Sequence, residues 1–260
     1  MKLSARIEGV GLVGPGLAGW RESRAILAGA APYVPAATAI PSPDALPSTE
    51  RRRAGKTVRL ALAAGLAAAA DAGREARDLV AVFTSSTGDG ENQHAICEAL
   101  ASDDRLISPT RFHNSVHNAP AGYWGIATGA MRAADSLAAF DASFAAGLLE
   151  ALARLAAEPS QPVVLVGYDA PYPEPLSSTR PIVDAFAVGL VLGPGEGPAI
   201  DARTAREAVT SMSNAALERV RRGIPAARVL PLLECVARGA PGRVVLDYVE
   251  GLSLALDVRP

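Results

Sequence analysis

The residues with chemical capacity crowd into positions 108–157, where two of the three histidines, His113 and His117, stand near Asn114, Asn118 and Trp124. Histidine, asparagine and tryptophan are costly to bury without partners, so the cluster predicts a packed polar junction or a site. His113 and His117 are four apart, a spacing that can hold zinc when both lie on one helix. The Glu of an HExxH pattern is replaced by Asn114, and no third ligand follows at suitable spacing. The expectation is no metal, with the imidazoles bonded to backbone or to Asn114 and Asn118. Thr84 to Gly90 follows an apolar run and precedes a helical one, as phosphate-cradling loops do. It lacks the lysine of a P-loop and the spacing of a dinucleotide fingerprint, so it reads as a plain strand-to-helix turn and no cofactor is expected. The G-x-S-x-G elbow that would make Ser85 or Ser86 a nucleophile is absent. Cys97, in helical register with Gln93 and Leu100, reads as a core thiol, and so does Cys235 among Leu232, Leu233 and Val236.

Bulk properties narrow the field. Hydrophobic residues make up 49% of the 260 and charged ones 20%, which describes a foldable chain rather than a disordered one. A net charge of −2 gives no electrostatic case for nucleic acid. Two cysteines are too few for a disulfide framework or a structural zinc site. The N-terminus is broken by charge and glycine where a secretory signal would be apolar, and no run reaches membrane-span length. A cytoplasmic protein with no membrane span is expected.

The elements that must position the cluster follow from periodicity. Arg6–Val13, Leu79–Phe83, Val163–Gly167 and Ala185–Leu192 read as buried strands, and a short strand is expected before the apolar helix that carries Phe144, Leu148, Leu152 and Leu155. Thr49 is placed as the cap of a helix beginning at Arg51–Arg53 and carrying Val58, Leu62, Leu66 and Ala70 in one row. Arg203–Arg222 reads as an amphipathic helix with Val209, Met212, Leu217 and Val220 inward. A short helix near 231–236 and strands at 243–249 and 252–258, turning at Glu250-Gly251, close the chain. Strands separated by long helices predict a single layered α/β domain with a largely buried sheet.

Taken together these segments resemble a known family. RIEGVGLVGPG is similar to the opening strand and turn of β-ketoacyl synthases; ERRRAGKTVRLALAAGLAAAADAG resembles their helix after an Arg-Arg pair. LVAVFTSSTGDG resembles their second strand and glycine turn, and SPTRFHNSVHNAPAGYWGIATGA their Asn-bearing segment. VVLVGYDAP and DAFAVGLVLGPGEG resemble the later strands. The likeness covers about residues 6–197 and points to the short chain length factor type found in aryl polyene and type II polyketide clusters. It implies a thiolase-like α/β/α layered fold, N-terminal half only, finished by a divergent cap over 198–260.

The departures shape the functional expectation. The family's D-T-A-C-x-S nucleophile pattern, laid on Asp135 to Phe140, puts Ala138 where the cysteine belongs, and alanine forms no thioester. Sliding the register offers Ser136, on the strand, or Ser143, inside the following helix. The family's two catalytic histidines lie in its second half, and no histidine follows residue 197 here. The resemblance therefore implies a non-catalytic partner of an active β-ketoacyl synthase, serving acyl carrier protein only indirectly. It places the heterodimer contact in the stretch from Phe112 to Leu137, with His113, His117, Asn118, Tyr123, Trp124, Met131 and Arg132 as contact residues. In ketosynthases the strand entering the elbow pairs antiparallel with its mate across the dimer axis. Two other readings stay open: a small acyltransferase or hydrolase using Ser136, Ser143 or Cys97 with His113 or His117, and a homodimeric scaffold or carrier-protein binder.

Overall fold

The structure, a computed structural model, describes residues 2–260. The chain begins with β1 (Leu3–Val13), α1 (Trp20–Leu27), α2 (Ser48–Arg53) and α3 (Lys56–Asp71). It continues through β2 (Val80–Thr84), α4 (Gly90–Ala101), α5 (Pro109–His113), α6 (Ala119–Thr128), β3 (Ala134–Leu137) and α7 (Ser143–Ala157). Then come β4 (Val163–Asp169), α8 (Leu176–Thr179), β5 (Phe186–Gly193) and β6 (Ala199–Ala205). The last stretch holds α9 (Ala215–Gly223), a 3-10 turn at Pro225–Val229, α10 (Leu230–Arg238), β7 (Gly242–Asp247) and β8 (Ser253–Arg259). Among the described residues no helix is long and apolar enough to cross a membrane.

Among the described residues eight strands form one sheet in the order β3-β2-β4-β5-β1-β6-β8-β7. The pairs β2–β3 and β2–β4 are parallel and the others antiparallel. Parallel strands buried on both faces need apolar residues at every position, and β2 and β4 are buried throughout. Their alternation divides the core in two. Val80, Val82, Val163 and Leu165 face a layer that includes α7, α10 and the 225–229 turn. Ala81, Phe83, Val164, Val166 and Tyr168 face α3 and α6. The result is the expected α/β/α layering.

Small residues let α3 lie close on the sheet. A Cβ at Gly11 would fall 2.0 Å from the Ala64 carbonyl oxygen, and one at Gly189 would fall 2.3 Å from the same atom. A bulge in β1 between Ile7 and Gly9 turns Gly9 and Gly11 toward α3 while Val10 and Leu12 enter the opposite core. The alanines of α3 are thus the counterpart of the glycines of β1 and β5.

Two sequence expectations are corrected here. Arg203–Arg222 is not one helix: Ala199–Ala205 forms β6 between β1 and β8, and the helix spans only Ala215–Gly223. The Asn214 side chain caps it by accepting from the Ala216 and Leu217 N–H groups. Met212, Leu217 and Val220 are buried as expected, but Met212 sits in the connecting loop, so their helical spacing is coincidental. Thr49 caps nothing; it lies inside α2, and the chain breaks at Ala54-Gly55 before α3 begins. The 198–260 segment is continuous with the rest, its strands extending the same sheet.

Candidate functional site

Because β2, β3 and β4 run parallel, the loops at their C-terminal ends gather on one side of the sheet, where α/β proteins place their ligands. The first loop is pinned from below. Asp169, the last residue of β4, accepts from the Ser86 N–H at 2.9 Å, the Ser86 hydroxyl at 2.7 Å and the Ser85 hydroxyl at 3.2 Å. Its other oxygen accepts the Ala226 N–H at 2.8 Å. The carboxylate is fully buried, and among the described residues no cation pairs with it. Burial pushes it up from the ordinary carboxylate value, opposed by the bonds from Ser86, Ala226 and Ser85. The Ser85 hydroxyl also accepts the Gly88 N–H at 3.0 Å, so both serines serve the turn, as read from sequence. Asp89 then caps α4 by accepting from Asn92 N–H.

The second loop is a strand–turn–helix elbow. β3 ends at Leu137, α7 begins at Ser143, and the one residue between them at positive φ is Phe140, at 52°. The apex of the elbow is therefore Phe140, two residues beyond the predicted Ala138, which lies on the approach to the turn. Phe140 carries no nucleophilic atom either. Ser143 opens α7 rather than lying inside it. Its hydroxyl accepts the Ala139 N–H at 2.9 Å, and the Phe140 and Ser85 carbonyls lie 2.7 and 3.2 Å away as acceptors for its proton. Ser136 lies on β3 with its hydroxyl buried and unpartnered. Cys97 is exposed on the outer side of α4, correcting its reading as a core thiol, whereas Cys235 packs half-buried against the core and burial raises its thiol pKa.

Charged residues brace the elbow. The Arg180 guanidinium lies 3.5 Å from the Phe140 ring centroid and donates to Asp141 at 2.7 Å. Asp141 also takes Arg228 at 2.9 Å, and Arg228 lies 3.4 Å from Asp247. Asp141 stands just before the positive end of α7, so a carboxylate already occupies the electrostatic niche that would favour a thiolate.

The predicted histidines separate. α5 ends at His113 and α6 begins at Ala119, so His113 and His117 share no helical face. His113 packs edge-on to Tyr123, while His117 Nε2 lies 3.1 Å from the Leu137 carbonyl. Among the described residues no three His, Cys, Asp or Glu side chains come close enough to hold a metal.

The predicted contact stretch also divides. Tyr123 and Trp124 are 2% and 1% exposed and belong to the protein's own core, so they form no surface contact in this chain. Trp124 fits against Gly65 and Phe83, and the Tyr123 hydroxyl donates to Asn114 at 3.1 Å. The small residue that admits the indole is Gly65 of α3, whereas Gly122, beside Tyr123 on α6, faces open space. His113, Asn118 and Arg132 are exposed, and His117 and Leu137 half-buried. Met131 and Phe112 are 96% and 67% exposed, and β3 is an edge strand paired only with β2. Asp169, Phe140, Asp141, Arg180 and Arg228 were not singled out from the sequence. Only Asp169 had a local signal, an acid closing a wholly apolar strand.

A buried sheet between helical layers, with an elbow at the end of an edge strand, defines a thiolase-like α/β protein. A family model described as the β-ketoacyl synthase N-terminal domain matches residues 24–241, and the chain belongs to that family. Among solved structures it is similar to the ketosynthase ApeO in complex with its chain length factor ApeC from Xenorhabdus doucetiae, at 24% identity and a TM-score of 0.73, covering 98% of this chain and 99% of that one. It is also similar to the ishigamide ketosynthase/chain length factor, at 13% identity and a TM-score of 0.71, with 99% of each covered. A β-ketoacyl synthase from Burkholderia phymatum gives 13% identity and a TM-score of 0.66, covering 100% of this chain and 99% of that one. No curated protein matches. At these identities the structures speak for the fold.

Proposed function

We propose that the chain is a non-catalytic subunit that pairs with an active β-ketoacyl synthase in the cytoplasm and acts as a chain length factor in type II polyketide or aryl polyene biosynthesis. The observation that carries this reading is the elbow, whose apex is the hydrocarbon ring of Phe140 beside an already paired Asp141. Holding an acyl group there needs a thiol, to form a thioester, or a hydroxyl, to form an ester, and the neighbouring Ser143 hydroxyl is buried in the hydrogen bonds of the turn. The absence of histidine beyond residue 197 removes the usual general bases as well. The ketosynthase–chain length factor complexes among its structural relatives support the same partner class.

The contact is the open edge of β3. An unpaired strand edge is a template for another strand, and the exposed apolar side chains of Phe112, Val116, Ile126 and Met131 lie in the segments leading to it. Acyl carrier protein enters only through the ketosynthase. Co-expression with the cognate ketosynthase tests this. The expected result is a one-to-one complex, condensing activity in the complex and none in the isolated chain. Carbon–carbon bond formation by the chain alone, or a stable homodimer that ignores the ketosynthase, overturns the proposal.

A further inference from the structure

Phe140 is placed where neither folding nor chemistry within this chain explains it. The residue is 59% exposed, so it contributes little to the core, and its backbone sits in the left-handed region, which a bulky residue adopts only under constraint. The constraint is visible. The Ser143 hydroxyl grips both sides of the turn, through the Ala139 N–H and the Phe140 carbonyl. One ring face is covered by Arg180, itself tied to Asp141, and Asp141 is tied in turn to Arg228. A ring stacked under a fixed guanidinium has lost much of its rotamer freedom before any partner arrives, and such pre-organisation lowers the cost of association. Phe140 also follows the open β3 edge by three residues.

We infer that Phe140 is a pre-set knob of the subunit interface: its ring inserts into an apolar, ring-sized recess on the ketosynthase beside the strand that pairs with β3, and Arg180 holds it in the inserting orientation. This rests on the proposed pairing with a ketosynthase. Aromatic residues and arginines dominate the energetic centres of interfaces, and a paired Phe–Arg unit beside a strand edge has that character. Arg180 is a positioning residue, since it acts through the ring.

Phe140→Gly is the informative variant, because glycine accepts the left-handed backbone and the turn survives while the ring is lost. Affinity for the cognate ketosynthase is measured by titration, with thermal unfolding of the free subunit alongside. Phe140→Gly is expected to weaken binding by about thirtyfold or more without lowering the melting temperature. Arg180→Lys, which keeps the charge opposite Asp141 but loses the flat stacking surface, is expected to weaken binding about fivefold when Phe140 is present and not at all in the Phe140→Gly background. Binding by Phe140→Gly within twofold of wild type overturns the inference and leaves the pairing intact. Additive effects of the two changes overturn the role given to Arg180. A wild-type chain that forms no complex overturns both the inference and the proposed function.

Discussion

The Asp169 carboxylate accepts the Ala226 N–H at 2.8 Å and, through its other oxygen, the Ser86 N–H at 2.9 Å. One buried side chain therefore joins the loop after β2 to the 225–229 turn, which arrives 57 residues after Asp169 in the chain. Two residues beyond Ala226, Arg228 reaches the elbow through Asp141. A single turn of the C-terminal segment thus holds two of the loops at the candidate site.

Asp169→Asn replaces an acceptor oxygen with an amide donor that must face N–H groups, leaving buried donors unmatched. A loss of about 3 kcal/mol or more in unfolding free energy is expected, read by urea denaturation monitored by circular dichroism. Stability unchanged within 0.5 kcal/mol, roughly the scatter of surface substitutions, would show that water replaces these bonds.

Trp124→Ala opens a large cavity between α3 and the sheet, because the indole packs on Gly65 and Phe83. The expected cost is about 3–5 kcal/mol of stability. The variant should melt far below the wild type, whether or not a ketosynthase is present during purification. A variant that keeps the wild-type melting temperature and loses only partner affinity would return Trp124 to the interface.

Glu218 is held by Arg221, which brings its carboxyl down to about 2 from its ordinary value of 4.5, against the opposing effect of burial. Between those values the unfolded chain binds more protons than the folded one, so stability rises with pH there. The contribution is complete above about pH 4.5 and is lost as pH falls toward about 2. Glu218→Gln should lie below the wild type at neutral pH and show a shallower loss through this acid window. Parallel stability curves for the two proteins would refute the assignment.

His113 and His117 should hold no stoichiometric zinc, since they sit on different segments and His117 faces the Leu137 carbonyl. Elemental analysis of protein purified without chelator tests this, and one zinc per chain lost in both His113→Ala and His117→Ala would contradict it.

Strand and helix periodicity made most of the fold legible. The apolar runs at 79–83, 163–167 and 185–192 leave no polar face to expose, so a sheet covered on both sides buries them. That the glycines of β1 meet the alanines of α3 was decided by the fold, which lays that helix across β1 and β5. β6 was not legible: ALA-ILE-ASP-ALA-ARG-THR-ALA has no strong strand preference, and pairing with β1 and β8 decides its state.

The candidate site divides the same way. Sequence alone determined that no cysteine stands between β3 and α7 and that no histidine lies beyond position 197, because those are facts of composition. Only the tertiary structure decided which residue occupies the apex, since a two-residue shift in an Ala-rich turn changes no local pattern but moves the backbone strain from Ala138 to Phe140. It also decided that Tyr123 and Trp124 face inward, a choice set by the space left beside Gly65 rather than by their own amphipathic character. The ties from Arg180 and Arg228 to Asp141 span 39 and 87 residues, and contacts over such separations depend on which strands pair and in what order.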